Sequence, residues 1–316
     1  MRDCVVFVAL QQFGEDDPRP VALLQDAGVA VRRNTLGRRL RRDELVTALQ
    51  DADAVLAGVE PYDAEVLRAL PRLRCISRCG TGTDSIDLEV TRQRGIAVFT
   101  TPEEVVEPVA QMTIAMMLAL ARQFPQHLAN VRNGVWKKQT GSLLSEWTVG
   151  LVGFGRIGRA VERYLLAFGS RVLVTDPGIG PGAVPSPTQW RDLPSLLAEA
   201  DLVSLHVNRP KDAGVLMGRQ EFAAMKSGSR LVNTARGYLV DEAALFDALQ
   251  SGHLAAAALD VFLDEPYSGR LATLPHVLCT PHVASLTRAS RAAMEWRCAQ
   301  NAVDCLLRIP CLGPRS

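Results

Sequence analysis

The chain has 316 residues, 47% of them hydrophobic and 22% charged, which suffices for about two globular domains with a sizeable core and speaks against disorder. Its 35 basic residues are balanced by 34 acidic ones to a net charge of +1, so no nucleic-acid partner is indicated, and the densest basic run, Arg38 to Arg42, carries no interleaved aromatic residues. Seven cysteines, Cys4, Cys75, Cys79, Cys279, Cys298, Cys305 and Cys311, form no CxxC pair, which argues against a disulfide framework or zinc knuckle and fits a reducing, cytoplasmic setting.

The first apolar run, VVFVAL, is too short to span a bilayer and no small-residue cleavage site follows it, so it reads as a first strand and no membrane partner is expected. Alternation then continues: a helix near 20–27, VAVRR, a helix near 43–50, AVLAG, a helix near 63–70, LRCIS, a helix near 88–94, and IAVF. Strands alternating with helices imply a parallel sheet with crossover helices. Residues 108–122, opened by Pro108, are too rich in Ala, Met and Leu to be exposed on more than one side, and read as an interdomain or intersubunit helix.

The segment VGLVGFGRIG at 149–158 places Gly153, Gly155 and Gly158 in a GxGxxG turn between an apolar run and a helix. The first glycine permits the tight turn, the second lets backbone approach a pyrophosphate, and the third lets helix lie close on strand, with the phosphates facing a helix N-terminus. A second apolar run, RVLVTD, ends at Asp176, 176 − 158 = 18 positions past the last glycine, where a carboxylate can bind ribose hydroxyls. An acid there with no arginine directly after it favours NAD over NADP, since a 2′-phosphate would meet like charge. Flavin and S-adenosylmethionine sites share such a turn, but neither explains the residues further along the chain.

After a Pro- and Gly-rich surface loop at 177–187, the alternation resumes with the strands LVSLHV, SRLVNTA, LAAAALDVF and VLCTPH, separated by helices near 193–198, 219–224 and 241–250. The stretch 287–307 is amphipathic and helical, and is expected to cross back to the first domain. The fold class is therefore α/β with two doubly wound parallel-sheet domains. No HxH or HExxH spacing and no carboxylate cluster suggests a metal.

From about residue 76 onward the chain resembles the D-isomer-specific 2-hydroxyacid dehydrogenases. The resemblance is carried by RCGTGTDSID at 78–87, the GFGRIG turn, VNTARGYLVDEAAL at 232–245, HLAAAALDVFLDEP at 253–266 and VLCTPHVAS at 277–285. It implies a flavodoxin-like substrate domain, residues 1–102 with 284–316, and a Rossmann NAD-binding domain, residues 103–283. It also implies three catalytic residues: the arginine of NxxRG, Arg236; the glutamate before the proline of DVFxxEP, Glu265; and the histidine of TPH, His282.

The residue types suit the chemistry. Imidazole titrates near neutrality and can pass a proton to a carbonyl oxygen, a neighbouring carboxylate orients it, and a guanidinium fork holds a carboxylate while stabilising alkoxide charge. The resemblance further implies cofactor contacts from Arg156, Ile157, His206, Thr234 and Ala235, with Asp260 on the nicotinamide amide. The glycine-rich turn of Arg78, Gly80, Thr81 and Gly82 is expected to bind the substrate, its main-chain N–H groups facing the carboxylate.

Four positions depart from the family pattern: Val105 stands for an asparagine, Pro108 for a serine, Gln111 for an acid and Asn208 for a proline. Arg78 beside the glycine loop points towards a phosphorylated or otherwise anionic 2-hydroxyacid such as 3-phosphoglycerate, with a structural ion pair as its other reading. No regulatory domain like that of longer phosphoglycerate dehydrogenases is expected after the last helix. The small-molecule acid is the expected partner, together with a second copy in a homodimer. Two other functions share this fold: an NAD-sensing interaction protein resembling transcriptional corepressors, and a phosphite-type dehydrogenase of the same family.

Overall fold

The computed structural model describes residues 4–208 and 211–308. Cys311, and Arg209 and Pro210 of the variant NRPKDAG loop, lie outside the described residues. Contacts divide the chain into two units, Met1–Val105 with Leu286–Ser316, and Val106–Ser285.

The first unit is a five-stranded parallel sheet of β1 (Val5–Val8), β2 (Ala30–Arg33), β3 (Ala54–Ala57), β4 (Cys75–Arg78) and β5 (Ala97–Phe99), in the order β2-β1-β3-β4-β5. β1 and β3 are buried along their whole length, because helices cover a parallel sheet on both faces. The edge strand β2 is exposed and carries Arg32 and Arg33, charges that discourage further strand pairing. Four short helices make the crossovers: α1 (Arg19–Asp26), α2 (Arg42–Leu49), α3 (Ala64–Arg68) and α4 (Leu88–Gln93). Asp63 caps α3 and Asp87 caps α4 with their carboxylates. The C-terminal helix, Arg288–Arg308, packs on β3, β4 and α1.

The second unit is a seven-stranded parallel sheet of β6 (Thr148–Val152), β7 (Arg171–Thr175), β8 (Gln189–Trp190), β9 (Leu202–Leu205), β10 (Ser229–Asn233), β11 (Leu254–Leu259) and β12 (Val277–Cys279). Its order is β12-β11-β10-β9-β6-β7-β8, so the direction of winding reverses between β6 and β9. In open α/β sheets ligands bind beyond the carboxyl ends of the strands at such a reversal. Its helices are α5 (Val106–Ala121), α6 (Phe124–Arg132), α7 (Arg156–Ala167), α8 (Leu193–Glu199), α9 (Arg219–Ala224) and α10 (Glu242–Gln250).

One expectation is corrected, and two elements were not expected. Pro108 does not open α5, which begins two residues earlier at Val106; proline in a first turn forfeits no helical hydrogen bond, so the helix can start ahead of it. On α5, Ala110, Ile114, Met117 and Leu120 are buried with Trp147, Val149, Phe154 and Val161 of the same unit. The helix α6, not expected from the sequence, has no buried residue and exposes Phe124, Leu128 and Val131. The two-residue strand β8 was also not expected, being too short to show a period.

Candidate active site

Strand β6 ends at Val152 and α7 begins at Arg156, so the glycine turn spans three residues. Gly153 has φ of +101°, and a Cβ there would stand 2.5 Å from the carbonyl carbon of His206. A Cβ on Gly158 would lie 2.3 Å from the Gly153 carbonyl oxygen, which is the close approach of helix to turn. Around Gly155 no atom comes within 4 Å of a would-be Cβ. That opening faces the first turn of α7, whose N-cap Gly155 supplies no side chain to its free N–H groups.

Arg156 and Ile157 are the first residues of α7. Asp176, at the end of β7, accepts the Phe154 N–H at 2.8 Å on one oxygen and the Gly178 N–H at 2.8 Å on the other. Each oxygen keeps a lone pair for a hydroxyl. The residues present therefore fit a dinucleotide: an open glycine cradle for the phosphates and a seated carboxylate for ribose.

His206 follows β9 and contributes its backbone to this turn, while its Nε2 bonds the Ser204 hydroxyl at 2.9 Å. Burial of the ring holds its pKa down to about 4, so it is neutral at physiological pH. Thr234 and Ala235 follow β10. The Thr234 hydroxyl is buried against that of Thr113 on α5 at 2.9 Å, which leaves its backbone as the part that can face a cofactor.

The three expected catalytic residues leave adjacent strands. Asn233, Leu259 and Cys279 are in register on β10, β11 and β12. Arg236 lies 236 − 233 = 3 residues past the first and His282 lies 282 − 279 = 3 past the last. His282 Nδ1 is 2.8 Å from Glu265 Oε2, and its Nε2 bonds to nothing among the described residues. Glu265 is held in turn by the Phe262 N–H at 3.1 Å on its other oxygen. The side chains of His282 and Glu265 are 48% and 37% exposed, open to a reacting partner.

Arg236 is half-buried, with Nη1 donating to the Ala235 carbonyl at 2.7 Å. Its turn is clamped by the buried Asn233, whose amide donates to the Arg236 carbonyl at 2.8 Å and accepts the Ala235 N–H at 3.0 Å. A Cβ on Gly237 would stand 1.9 Å from the Phe262 carbonyl carbon. Only glycine lets the arginine turn lie on the segment that leads to Glu265.

Asp260 is fully buried, and its carboxylate accepts the Thr280 hydroxyl at 2.5 Å, the Val283 N–H at 2.9 Å and the Ala284 N–H at 2.9 Å. Its carbonyl accepts the His282 N–H at 2.9 Å. His282 has φ of +54°, a left-handed conformation uncommon outside glycine that surrounding bonds must impose. The side chain expected on the nicotinamide amide is thus also the brace of the loop that carries His282. Asn233, Gly237 and Glu242, which accepts the Leu263 N–H at 2.8 Å, were not singled out from the sequence, although the first two lie inside the NxxRG motif.

In the first unit Arg78, Gly80, Thr81 and Gly82 follow β4. The Gly80 N–H, expected to face substrate, instead donates to the Thr101 hydroxyl at 2.8 Å. Main-chain N–H groups of Thr81 and Gly82 bond to nothing among the described residues and retain that capacity. Arg78 folds over Gly80, and its Nη1 donates to the Cys79 carbonyl. Val105 is buried, Gln111 bonds Glu107 at 3.1 Å, and Asn208 is exposed. No group of three His, Cys, Asp or Glu side chains is gathered for a metal among the described residues, and no helix among them is long and apolar enough to cross a membrane.

A parallel sheet wound in this order, with a glycine cradle and a seated carboxylate, defines the class of dinucleotide-binding α/β proteins. Residues 114–284 match the sequence model of the D-isomer specific 2-hydroxyacid dehydrogenase, NAD binding domain, and the chain belongs to that family. It is 39% identical over 251 residues to the D-3-phosphoglycerate dehydrogenase of Mycobacterium tuberculosis, a match covering 78% of this chain and 48% of that one. The chain thus spans about half the length of the curated relatives it matches.

Among solved structures, a protein of Thermus thermophilus superposes with a TM-score of 0.86 at 37% identity, covering 96% of this chain and 97% of that one. A D-lactate dehydrogenase of Aquifex aeolicus, complexed with NAD and lactic acid, gives 0.83 at 29% identity, covering 96% and 95%.

Proposed function

We propose that the chain is an NAD-dependent oxidoreductase acting on a small 2-hydroxy or 2-keto acid. The observation that carries this reading is the 2.8 Å His282–Glu265 pair, with imidazole Nε2 unengaged, held beside the Arg236 turn on the sheet that bears the glycine cradle. When bound, NAD supplies the hydride donor or acceptor. Gly153, Gly155, Arg156, Ile157 and Gly158 would hold its pyrophosphate, Asp176 its ribose, and the backbone of His206, Thr234 and Ala235 its nicotinamide half.

Arg236 would bind the substrate carboxylate and the keto oxygen through its planar fork. In the first unit, the main-chain N–H groups of Thr81 and Gly82 would be open to an anionic group. His282 Nε2 passes a proton to the carbonyl oxygen in reduction and takes it back from the hydroxyl in oxidation. Glu265, on Nδ1, fixes the ring's orientation and leaves Nε2 to the reactant.

Which acid is used is a finer matter. The relatives named D-3-phosphoglycerate dehydrogenase favour a phosphorylated three-carbon acid, and Arg78 is the residue such a substrate would need. The neighbour complexed with lactic acid favours a short, unphosphorylated one. Purified chain mixed with NADH and a panel of 2-ketoacids tests the shared reading: decay of the nicotinamide absorbance with at least one of them is expected, and no decay with any would contradict it.

We also propose a homodimer seated on α6. Phe124, Leu128 and Val131 follow at helical spacing with 53%, 54% and 60% of their surface exposed, and Trp136 just beyond is 86% exposed. A helix with no buried residue gains little stability without a partner. Light scattering at micromolar concentration is expected to return twice the chain mass; a monomer would contradict it.

A further inference from the structure

We propose that Glu242 is a positioning residue for the reaction, holding by the Leu263 N–H the loop on which Glu265 approaches His282; this deepens the reading above and rests on Glu265 and His282 being its proton couple.

The loop needs such a tie. Residues 263–266 form neither helix nor strand, and all four are exposed. An exposed segment with few main-chain partners samples many arrangements unless something outside it fixes one. Its bonds are few: the Phe262 N–H turns inward to the Glu265 carboxylate, that carboxylate meets the His282 ring, and the Leu263 N–H donates to Glu242 Oε1 at 2.8 Å. Among the described residues, the last is the one hydrogen bond that ties the main chain of 262–266 to another element.

The anchor at the other end is firm. Glu242 is the first residue of α10, whose Ala244, Leu245, Phe246 and Leu249 are buried, and the N–H of the preceding Asp241 donates to the Met217 carbonyl at 3.0 Å. An acid in a first turn is often explained by its own helix, whose free N–H groups and dipole favour negative charge. Here Asp241 fills that role, accepting the Ala243 and Ala244 N–H groups at 3.0 Å each. The Glu242 oxygen is turned to Leu263 instead.

The same stretch carries the substrate-binding arginine. Gly237 follows Arg236, and a Cβ on it would stand 1.9 Å from the Phe262 carbonyl carbon and 2.4 Å from the Leu263 nitrogen. Residues 237–242 therefore meet the loop twice, at Gly237 by close contact and at Glu242 by a hydrogen bond. The contact alone lets the loop slide over a flat glycine; the hydrogen bond fixes its register. Arg236 and Glu265 are thereby set against each other within one unit, where a displacement of about 1 Å in a reacting group can lower the rate roughly 100-fold.

Two conservative variants separate the hydrogen bond from the charge. Glu242→Gln keeps an acceptor oxygen at the same reach and loses the charge, whereas Glu242→Asp keeps the charge and falls one methylene short of Leu263. Rates are measured with NADH and whichever of hydroxypyruvate, glyoxylate and phosphohydroxypyruvate the wild-type chain reduces fastest. Glu242→Gln is expected within about threefold of the wild-type kcat, and Glu242→Asp at least about tenfold below it, with the NADH dissociation constant and the urea midpoint of both unchanged. Wild-type kcat in Glu242→Asp, or Glu242→Gln as slow as Glu242→Asp, would overturn the proposal. A fall in kcat matched by weaker NADH binding and a lower urea midpoint would also overturn it, since that is the mark of a residue that only supports the fold. Reduction of none of the three acids by the wild-type chain, or full turnover in His282→Asn, would remove the proton couple and this proposal together. Turnover that depends on His282 and ignores both Glu242 variants would remove this proposal alone.

Discussion

The glycine turn after β6 and the loops that carry Arg236, Glu265 and His282 stand on the same sheet, but they are shaped in different ways. In the turn, backbone does the shaping: Gly153 and Gly158 are held where a single Cβ would collide with a carbonyl, and Gly155 is kept open. In the loops the working groups are side chains, and buried polar groups hold them: the Asn233 amide clamps the Arg236 turn, the Asp260 carboxylate the His282 loop, and the Phe262 N–H the Glu265 carboxylate. A backbone cradle is damaged by adding an atom, whereas a braced side chain is damaged by taking a charge away.

Substitutions can break that contrast. Gly153→Ala combines a φ of +101° with a Cβ 2.5 Å from the His206 carbonyl carbon, and is expected to weaken NADH binding by at least about 100-fold. Fluorescence titration measures it, and near-native affinity would show that the turn is not the cradle. Asp260→Asn keeps the shape and removes the charge that three donors share, so turnover is expected to fall roughly 10- to 100-fold and its pH profile to shift, with a smaller change in NADH affinity. A loss confined to NADH affinity would return Asp260 to the nicotinamide contact alone.

His206 gives a smaller effect, in stability. Its pKa is about 4 in the folded chain against 6.5 for an open imidazole, so between those values the unfolded chain takes up a proton that the folded chain lacks. The contribution is complete above pH 6.5 and is lost as pH falls towards 4, by on the order of 3 kcal/mol at most. Urea midpoints of His206→Gln at pH 7 and pH 4.5 should lie closer together than those of the wild type. An unchanged separation would mean that another group sets the acid limb.

The same contrast explains how much of the molecule was legible in the sequence. Both parallel sheets were visible in the alternation of runs, and the cradle was visible because glycines at fixed offsets are a backbone requirement written in residue names. Arg236, Glu265 and His282 were visible through motifs. What those residues lean on was not: Asn233 bonds within its own turn, which the motif's letters do not show, and Glu242 accepts from Leu263, 21 residues on. Gly80 shows the limit from the other side: a glycine-rich turn advertises free N–H groups, but whether Thr101 reaches one of them is decided 21 residues away. The helix α6 went unseen because its apolar residues face outward, and no core-facing stripe marks it.

The imidazole of His282 carries the central claim, and turnover measured together with NADH binding in His282→Asn tests it most directly. A fall in kcat of roughly 10² to 10⁴ with the NADH dissociation constant unchanged is the expected result. Turnover equal to that of the wild-type chain would contradict the assignment of the proton to this ring.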